Sequence, residues 1–280
     1  MNDARLMWTL YEPIHAVTYF TPESLAAFQE AGLKGFWRGY FAGRAAPLGE
    51  VGAAPVIAAF YTFAPAMVTR ALPDVWRRAT PERVLRARID GSTAALARLL
   101  ADQPADAVAE AADLLAAAAA RVEPAGRVLG AANAALPVPG QPLARLWQAA
   151  TTLREHRGDG HVAALVAAGV GPREALAWRA AYDMSRAVVQ PARGWTDEEW
   201  DAAARRLTER GWLDADGRPT PTALAAHRDI EAATDRAAAA PWEAVDVDRV
   251  RVLLEPIAAA CRAALPADTP IGLPTTGTAA

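Results

Sequence analysis

Apolar residues recur three and four positions apart along most of the chain, and the alternation in twos that marks half-buried strands is sparse, so the pattern predicts helices nearly throughout. Pro13, Pro22, Pro81 and Pro104 stand where proline is tolerated in a first helical turn, with Thr21, Thr80 and Gln103 before three of them, and helix starts are expected there. Gly32, Gly43 and Gly49 mark ends or bends, and Asp90-Gly-Ser-Thr-Ala94 reads as a bend between helical stretches.

The texture changes between Glu123 and Pro142, ending in Leu136-Pro-Val-Pro-Gly-Gln-Pro142, which is incompatible with continuous helix. An interdomain connection is placed there. The expected organisation is an aromatic-rich helical domain over 1–135, a second helical domain over 136–265 and a flexible tail over 266–280. In the second domain a helix from Leu143 to Glu155 is expected to break at Arg157-Gly-Asp-Gly160 and to restart at His161 with Asp159 as its N-cap.

Trp195 to Trp242 is the most readable segment. Thr196 with Glu199 forms a capping box, and the helix it starts carries Trp200, Ala203, Ala204 and Leu207 on one face. Gly211 ends that helix, Asp214-Ala-Asp-Gly217 signals a tight hairpin, and a further helix begins near Pro221. Helix, hairpin, helix is the order of a winged helix. The predicted fold is therefore all-α with a small β-hairpin wing: a helical N-terminal domain followed by a C-terminal winged-helix-like domain, with Trp212, Leu213, Leu224 and Ile230 on its inner face.

Composition narrows the function classes. The apolar content is largely alanine, the best helix former, and the net charge of −3 argues against a protein built to neutralise phosphates. Cys261 stands alone, which suits a reducing compartment, and Met1-Asn-Asp-Ala-Arg5 lacks the features of an export signal, so a cytoplasmic location is expected. Val51 to Thr69 carries no charge, but Pro55 and Pro65 interrupt it; it reads as a buried helix, and no membrane association is expected.

Four segments, Glu12-Pro-Ile-His-Ala-Val-Thr-Tyr-Phe20, Gly43-Arg-Ala-Ala-Pro-Leu-Gly49, Leu153-Arg-Glu-His-Arg-Gly-Asp-Gly-His161 and Ile230-Glu-Ala-Ala-Thr-Asp235, together resemble a family of actinobacterial helix-turn-helix proteins. The resemblance spans the whole chain. It implies a helical protein with a winged-helix-like segment and the label of transcriptional regulator, a label that follows the fold and leaves the activity open.

All six phenylalanines lie before Thr69, among several tyrosines and beside Arg38 and Arg44. Such a concentration serves either as core or as the wall of an amphipathic ligand pocket. The run from Arg154 to His161 packs arginines, acids and histidines into a glycine-containing stretch able to clamp a carboxylate or phosphate. The candidate ligand-binding residues are accordingly His15, Tyr19, Arg44, Arg154, His156, Arg157, Asp159 and His161, expected around one shared cavity. Glu12, His15, His156 and His161 would make a metal site only if the two domains met. No nucleophile elbow, phosphate loop or dinucleotide fingerprint occurs, and nothing in the sequence specifies a cofactor. The preferred reading is a protein that binds a small amphipathic or anionic molecule, a sensor being one form of it. A DNA-binding regulator, in dimeric form, and an enzyme using His15, His156 or His161 for acid–base work are the alternatives. DNA is disfavoured because the helix that would enter the major groove opens Thr196-Asp-Glu-Glu-Trp-Asp201, placing acids against phosphates.

Overall fold

Proline-started, alanine-rich segments become helices in the computed structural model, which describes residues 3–271. In chain order the helices are α1 (Asp3–Phe20), α2 (Pro22–Glu30), α3 (Phe36–Ala45), α4 (Ala53–Phe60), α5 (Pro65–Thr69), α6 (Pro81–Leu99), α7 (Ala105–Ala119), α8 (Val128–Ala134), α9 (Pro142–Ala167), α10 (Pro172–Tyr182), α11 (Arg186–Arg193), α12 (Asp197–Glu209), α13 (Pro221–Ala237) and α14 (Val247–Ala263). Proline opens α2, α6, α9, α10 and α13, where its missing N–H costs nothing. The hydroxyls of Thr80, Thr196 and Thr220 cap α6, α12 and α13, and Thr196 and Glu199 complete the expected capping box.

The long helix α9 is the axis of the fold. Helices α1, α6, α7, α8 and α13 pack around it. Its first half, with Leu146, Trp147 and Leu153, joins one apolar core with Met7, Tyr11 and Ile14 of α1, Leu115 of α7 and Leu254 of α14. Its last turns, with Leu165, join a second core made by Phe28, Phe41, Phe60, Phe63, Trp178, Trp200 and Trp212.

Several expectations from sequence are corrected here. Pro13 does not start a helix; it lies inside α1. Its ring leaves the Thr9 carbonyl without its usual donor, and Arg262 Nη2 of α14 donates to that oxygen at 3.1 Å, so the helix continues. Asp90 to Ala94 is likewise interior to α6. The break at residues 157–160 does not exist, because α9 runs unbroken through Gly158 and Gly160. Glycine there and in α8 serves close approach: a Cβ on Gly130 would lie 2.7 Å from the His156 Cα, so the α8–α9 contact requires a bare backbone.

The wing is the principal correction. Among the described residues there is no β-strand; Leu213 and Pro219 form a single isolated bridge. The segment closes instead as a turn about Asp214, whose Oδ1 accepts from the N–H groups of Asp216 and Arg218 at 2.9 and 2.8 Å. The N–H groups that would extend the bridge into a ladder are spent elsewhere, Trp212 N–H on the Leu207 carbonyl at 2.8 Å and Arg218 N–H on the Asp214 carboxylate. Trp212, Leu213 and Ile230 are buried as expected, while Leu224 is half-buried and Ala223 takes the fully buried position beside it. The expected flexible tail falls partly on residues 272–280, which lie outside the described residues.

Candidate functional site

A cavity of about 170 Å³ opens where the aromatic region meets the second half of α9. Tyr40 and Arg44 of α3, Phe60 at the end of α4, and Tyr61 to Phe63 form one wall; Arg154, Gly158, His161 and Leu165 of α9 form another. Leu176 and Arg179 of α10 and Val189 and Arg193 of α11 close it, with Pro270 and Ile271 at the rim. Three candidate residues chosen from sequence, Arg44, Arg154 and His161, thus line one space. The other five do not line it.

Beneath the floor lies a buried ion network. Glu155, 1% exposed, takes both Arg44 Nε (2.8 Å) and Arg44 Nη2 (2.9 Å) in a fork and also accepts from Arg154 Nη1 at 2.9 Å. Burial works against its charge, but the two guanidiniums outweigh that and hold the carboxyl well below its ordinary range. Arg154 Nε reaches Glu12 at 3.4 Å, and Glu12 accepts from Trp8 Nε1 at 2.9 Å. Arg44 stacks on the Phe60 ring, 4.2 Å from its centroid. Arg179 pairs with Asp183 at 2.7 Å.

Arg193 differs from these three. It is 8% exposed, has no carboxylate partner among the described residues, and donates to the carbonyls of Pro270 (2.6 Å) and Ala192 (3.5 Å) while its Nε has no partner. Its guanidinium lies 4.6 Å from the Phe63 ring centroid. Burial lowers it to about 10, which leaves it charged at neutral pH. Sequence reasoning missed this residue, because an arginine in a short polar helix reads as solvated surface.

His161 is fixed in one tautomer by its neighbours. Thr234 spends its hydroxyl hydrogen on the Ile230 carbonyl at 2.9 Å, so at 3.0 Å from His161 Nδ1 it acts as acceptor, and Nδ1 carries the proton. Nε2 is then an acceptor on a ring that lines the cavity. Burial pushes the imidazole down to about 4, so it is neutral at pH 7.

The remaining candidates lie away from the cavity, each engaged with a neighbouring element. His156 is 2% exposed beneath Gly130, with its ring lowered to about 4 by burial. Arg157 bonds Asp235 at 2.8 Å and Glu231 at 3.5 Å and stacks over Trp8, tying α9 to α13 and α1. Asp159 does not cap its own helix; its Oδ2 accepts from the N–H groups of Leu129 and Gly130, both at 2.8 Å, and so caps α8. Burial raises its carboxyl to about 6 against those two bonds. His15 is held at 3.0 Å from both Thr151 Oγ1 and Tyr19 OH, beside a space of about 10 Å³ that admits no more than one water. Among the described residues no group of three or more histidine, cysteine, aspartate or glutamate side chains could hold a metal ion, so the Glu12–His15–His156–His161 site is not assembled. No helix among the described residues is long and apolar enough to cross a membrane.

The cavity abuts a second feature. Helices α11 and α12 are joined by Gly194, Trp195 and Thr196, with Gly194 left-handed at φ 75°, ψ 19°, a glycine-containing turn of the length that helix-turn-helix motifs use. Residues 60–64 are latched to this turn: Trp195 Nε1 donates to the Thr62 carbonyl at 2.9 Å and Ala64 N–H to the Arg193 carbonyl at 2.8 Å. Just before them Tyr61 adopts φ 55°, ψ −64°, with Thr62 N–H donating to the Phe60 carbonyl at 2.7 Å, which is the strained γ-turn. The Tyr61 hydroxyl donates to the Val170 carbonyl and anchors the strained residue at the cavity wall.

Helix α12 presents Asp197, Glu198 and Glu199 in its first turn. Arg186 of α11 pairs with Asp197 and Asp201, and at the far end Arg206 bonds Glu174 while Arg210 caps the Ala168 and Gly169 carbonyls. Arg186, Arg206 and Arg210 thus have partners within the protein yet stay exposed, like Arg205 beside them, so α12 is acidic at its start and basic at its end.

Neither the curated proteins nor the solved structures contain a significant match to this chain. A sequence model described as a helix-turn-helix family matches residues 4–269, from the first helix to the rim of the cavity. The chain belongs to that helix-turn-helix family.

Proposed function

We propose that this protein is a sensor that binds a small amphipathic anion in the cavity between α3, α9, α10 and α11. The observation that carries the reading is the lining itself: rings and aliphatic side chains bracketed by Arg44, Arg154, Arg179 and Arg193, with no acidic side chain on the wall. An apolar body fits among Phe60, Leu165 and Leu176, and a negative group is drawn to the cationic side. Val189 and Arg193 belong to the first helix of the helix-turn-helix, so an occupant touches the element whose placement it would report.

Benzoate, octanoate and phenyl phosphate, compared with benzylamine, test this by thermal shift. At least one anion is expected to raise Tm in a concentration-dependent way, since about 2.7 kcal/mol is added at a hundredfold excess over Kd, and benzylamine is expected to have no effect. Gly158→Leu localises the binding: a Cβ there meets nothing closer than Glu155 Oε2 at 3.9 Å, so a leucine extends into the space, and the anion response should vanish. An equal response to the cation, or one that survives Gly158→Leu, refutes the proposal.

The α11–turn–α12 geometry supports a second reading, duplex-DNA recognition by α12. Its acidic opening opposes this. Generic duplex DNA is expected to show no salt-dependent binding at moderate ionic strength; a micromolar, salt-sensitive gel shift would revive the DNA reading.

A further inference from the structure

We infer that the cavity's ligand is a monocarboxylate carried on a single aromatic ring, and that Arg193 is the residue that takes its carboxylate. The inference rests on the anion-binding reading above and narrows it by charge, size and shape.

Charge comes first. Arg44 is satisfied by a bidentate Glu155, Arg154 by Glu155 and Glu12, and Arg179 by Asp183. Arg193 is left over as a buried cation with backbone carbonyls for company and a free Nε. A buried charge of this kind is costly unless a counterion completes it, and the guanidinium fork matches a carboxylate. The deficit is a single negative charge, which a monoanion fills and a dianion exceeds.

Size and shape follow. A 150 Å³ apolar cavity is known to hold benzene; the space here is about 170 Å³, room for one ring and its substituent. Tyr40, Phe60, Tyr61 and Phe63 make one wall aromatic, a surface that an aromatic body can pack against. The Phe63 ring under the Arg193 guanidinium brings the aromatic wall and the cation to the same end. The acceptor at His161 Nε2 further favours a ring bearing a hydroxyl donor.

Calorimetric titration with benzoate, 2-hydroxybenzoate, 4-hydroxybenzoate and the neutral isostere benzamide provides the test, using wild type, Arg193→Met and Arg193→Lys. The carboxylates are expected to bind and benzamide to bind at least ~30-fold more weakly, the loss that follows removal of one partner of a buried charge pair. Arg193→Met should weaken benzoate by the same factor. Its ligand-free Tm should equal or exceed that of wild type, because an apolar side chain of similar volume replaces an unpaired buried charge. A merely structural Arg193 would give the opposite, a lowered Tm. Arg193→Lys keeps the charge and loses the fork, so about tenfold weakening is expected; if the Met variant does not fold, this variant decides. Carboxylate binding unchanged in Arg193→Lys and Arg193→Met removes the anchor role. If octanoate or phenyl phosphate binds and the benzoates do not, the aromatic carboxylate is wrong while the anion cavity stands; if no anion binds, both readings fall.

Discussion

Glu155→Ala is expected to destabilise the protein by about 3–5 kcal/mol, the usual cost of removing one partner from a buried ion pair. Glu155 is the hub where Arg44 and Arg154 meet, at 2.8–2.9 Å and with 1% exposure, so its loss strands two guanidiniums in an apolar setting. Against a total stability of roughly 5–15 kcal/mol this is a large fraction. Adding Arg44→Met to Glu155→Ala should recover part of the loss by removing one of the stranded charges. Urea denaturation measures both, and a single-variant cost below about 1 kcal/mol would show the network to be far wetter than its burial indicates.

Stability is also expected to fall as pH drops from 6.5 towards 4. Burial holds His15 well below its ordinary value of 6.5 and His156 at about 4. Both are neutral in the folded protein, whereas the unfolded chain takes up protons from about 6.5 downwards. The stability they confer is full above 6.5 and is lost as the pH falls, each proton adding about 1.4 kcal/mol per pH unit to the slope. Asp159 opposes them: raised to about 6, it is protonated in the fold before it is in the unfolded chain, which offsets one histidine from about pH 6 down to 3.8. With His161 also at about 4, the three rings give a slope that approaches three protons' worth below pH 6.5 and about two once Asp159 offsets one of them, and the burial of His227 acts in the same direction. Urea midpoints at half-unit intervals read the slope, and His156→Gln should reduce it by one proton. A stability that is flat or rising towards pH 4 contradicts the burial of these rings.

Helix type and helix starts were legible because they rest on local chemistry: Thr80, Thr196 and Thr220 cap what their sequences say they cap. The errors came where a residue's partner is remote. Gly158 and Gly160 look like a break, yet α9 is enclosed by other helices, and packing replaces the propensity that two glycines forfeit. Pro13 looks like a start until Arg262, far along the chain, supplies the missing bond. Asp214-Ala-Asp-Gly217 signals a reversal correctly, but the N–H groups of Trp212 and Arg218 are taken by the Leu207 carbonyl and the Asp214 carboxylate, so only one bridge forms. Of the candidate residues, Arg44 lies on one wall of the cavity, among the aromatic side chains, and His161 on the facing wall. Arg193 was invisible because nothing local distinguishes a buried arginine from a surface one. His156, Arg157 and Asp159 were drawn into the candidate set by composition, whereas each is engaged with α8 or α13.

The most direct test of the central claim is a crystal structure with a bromine-labelled form of whichever anion shifts Tm most, 4-bromobenzoate for a ring or 8-bromooctanoate for a chain, located by its anomalous signal. The expected result is a bromine peak among Phe60, Tyr61, Leu165 and Leu176 with the anionic group turned towards the arginine side of the cavity. Bromine found solely on the outer surface, with the cavity unoccupied at saturating ligand, would contradict it.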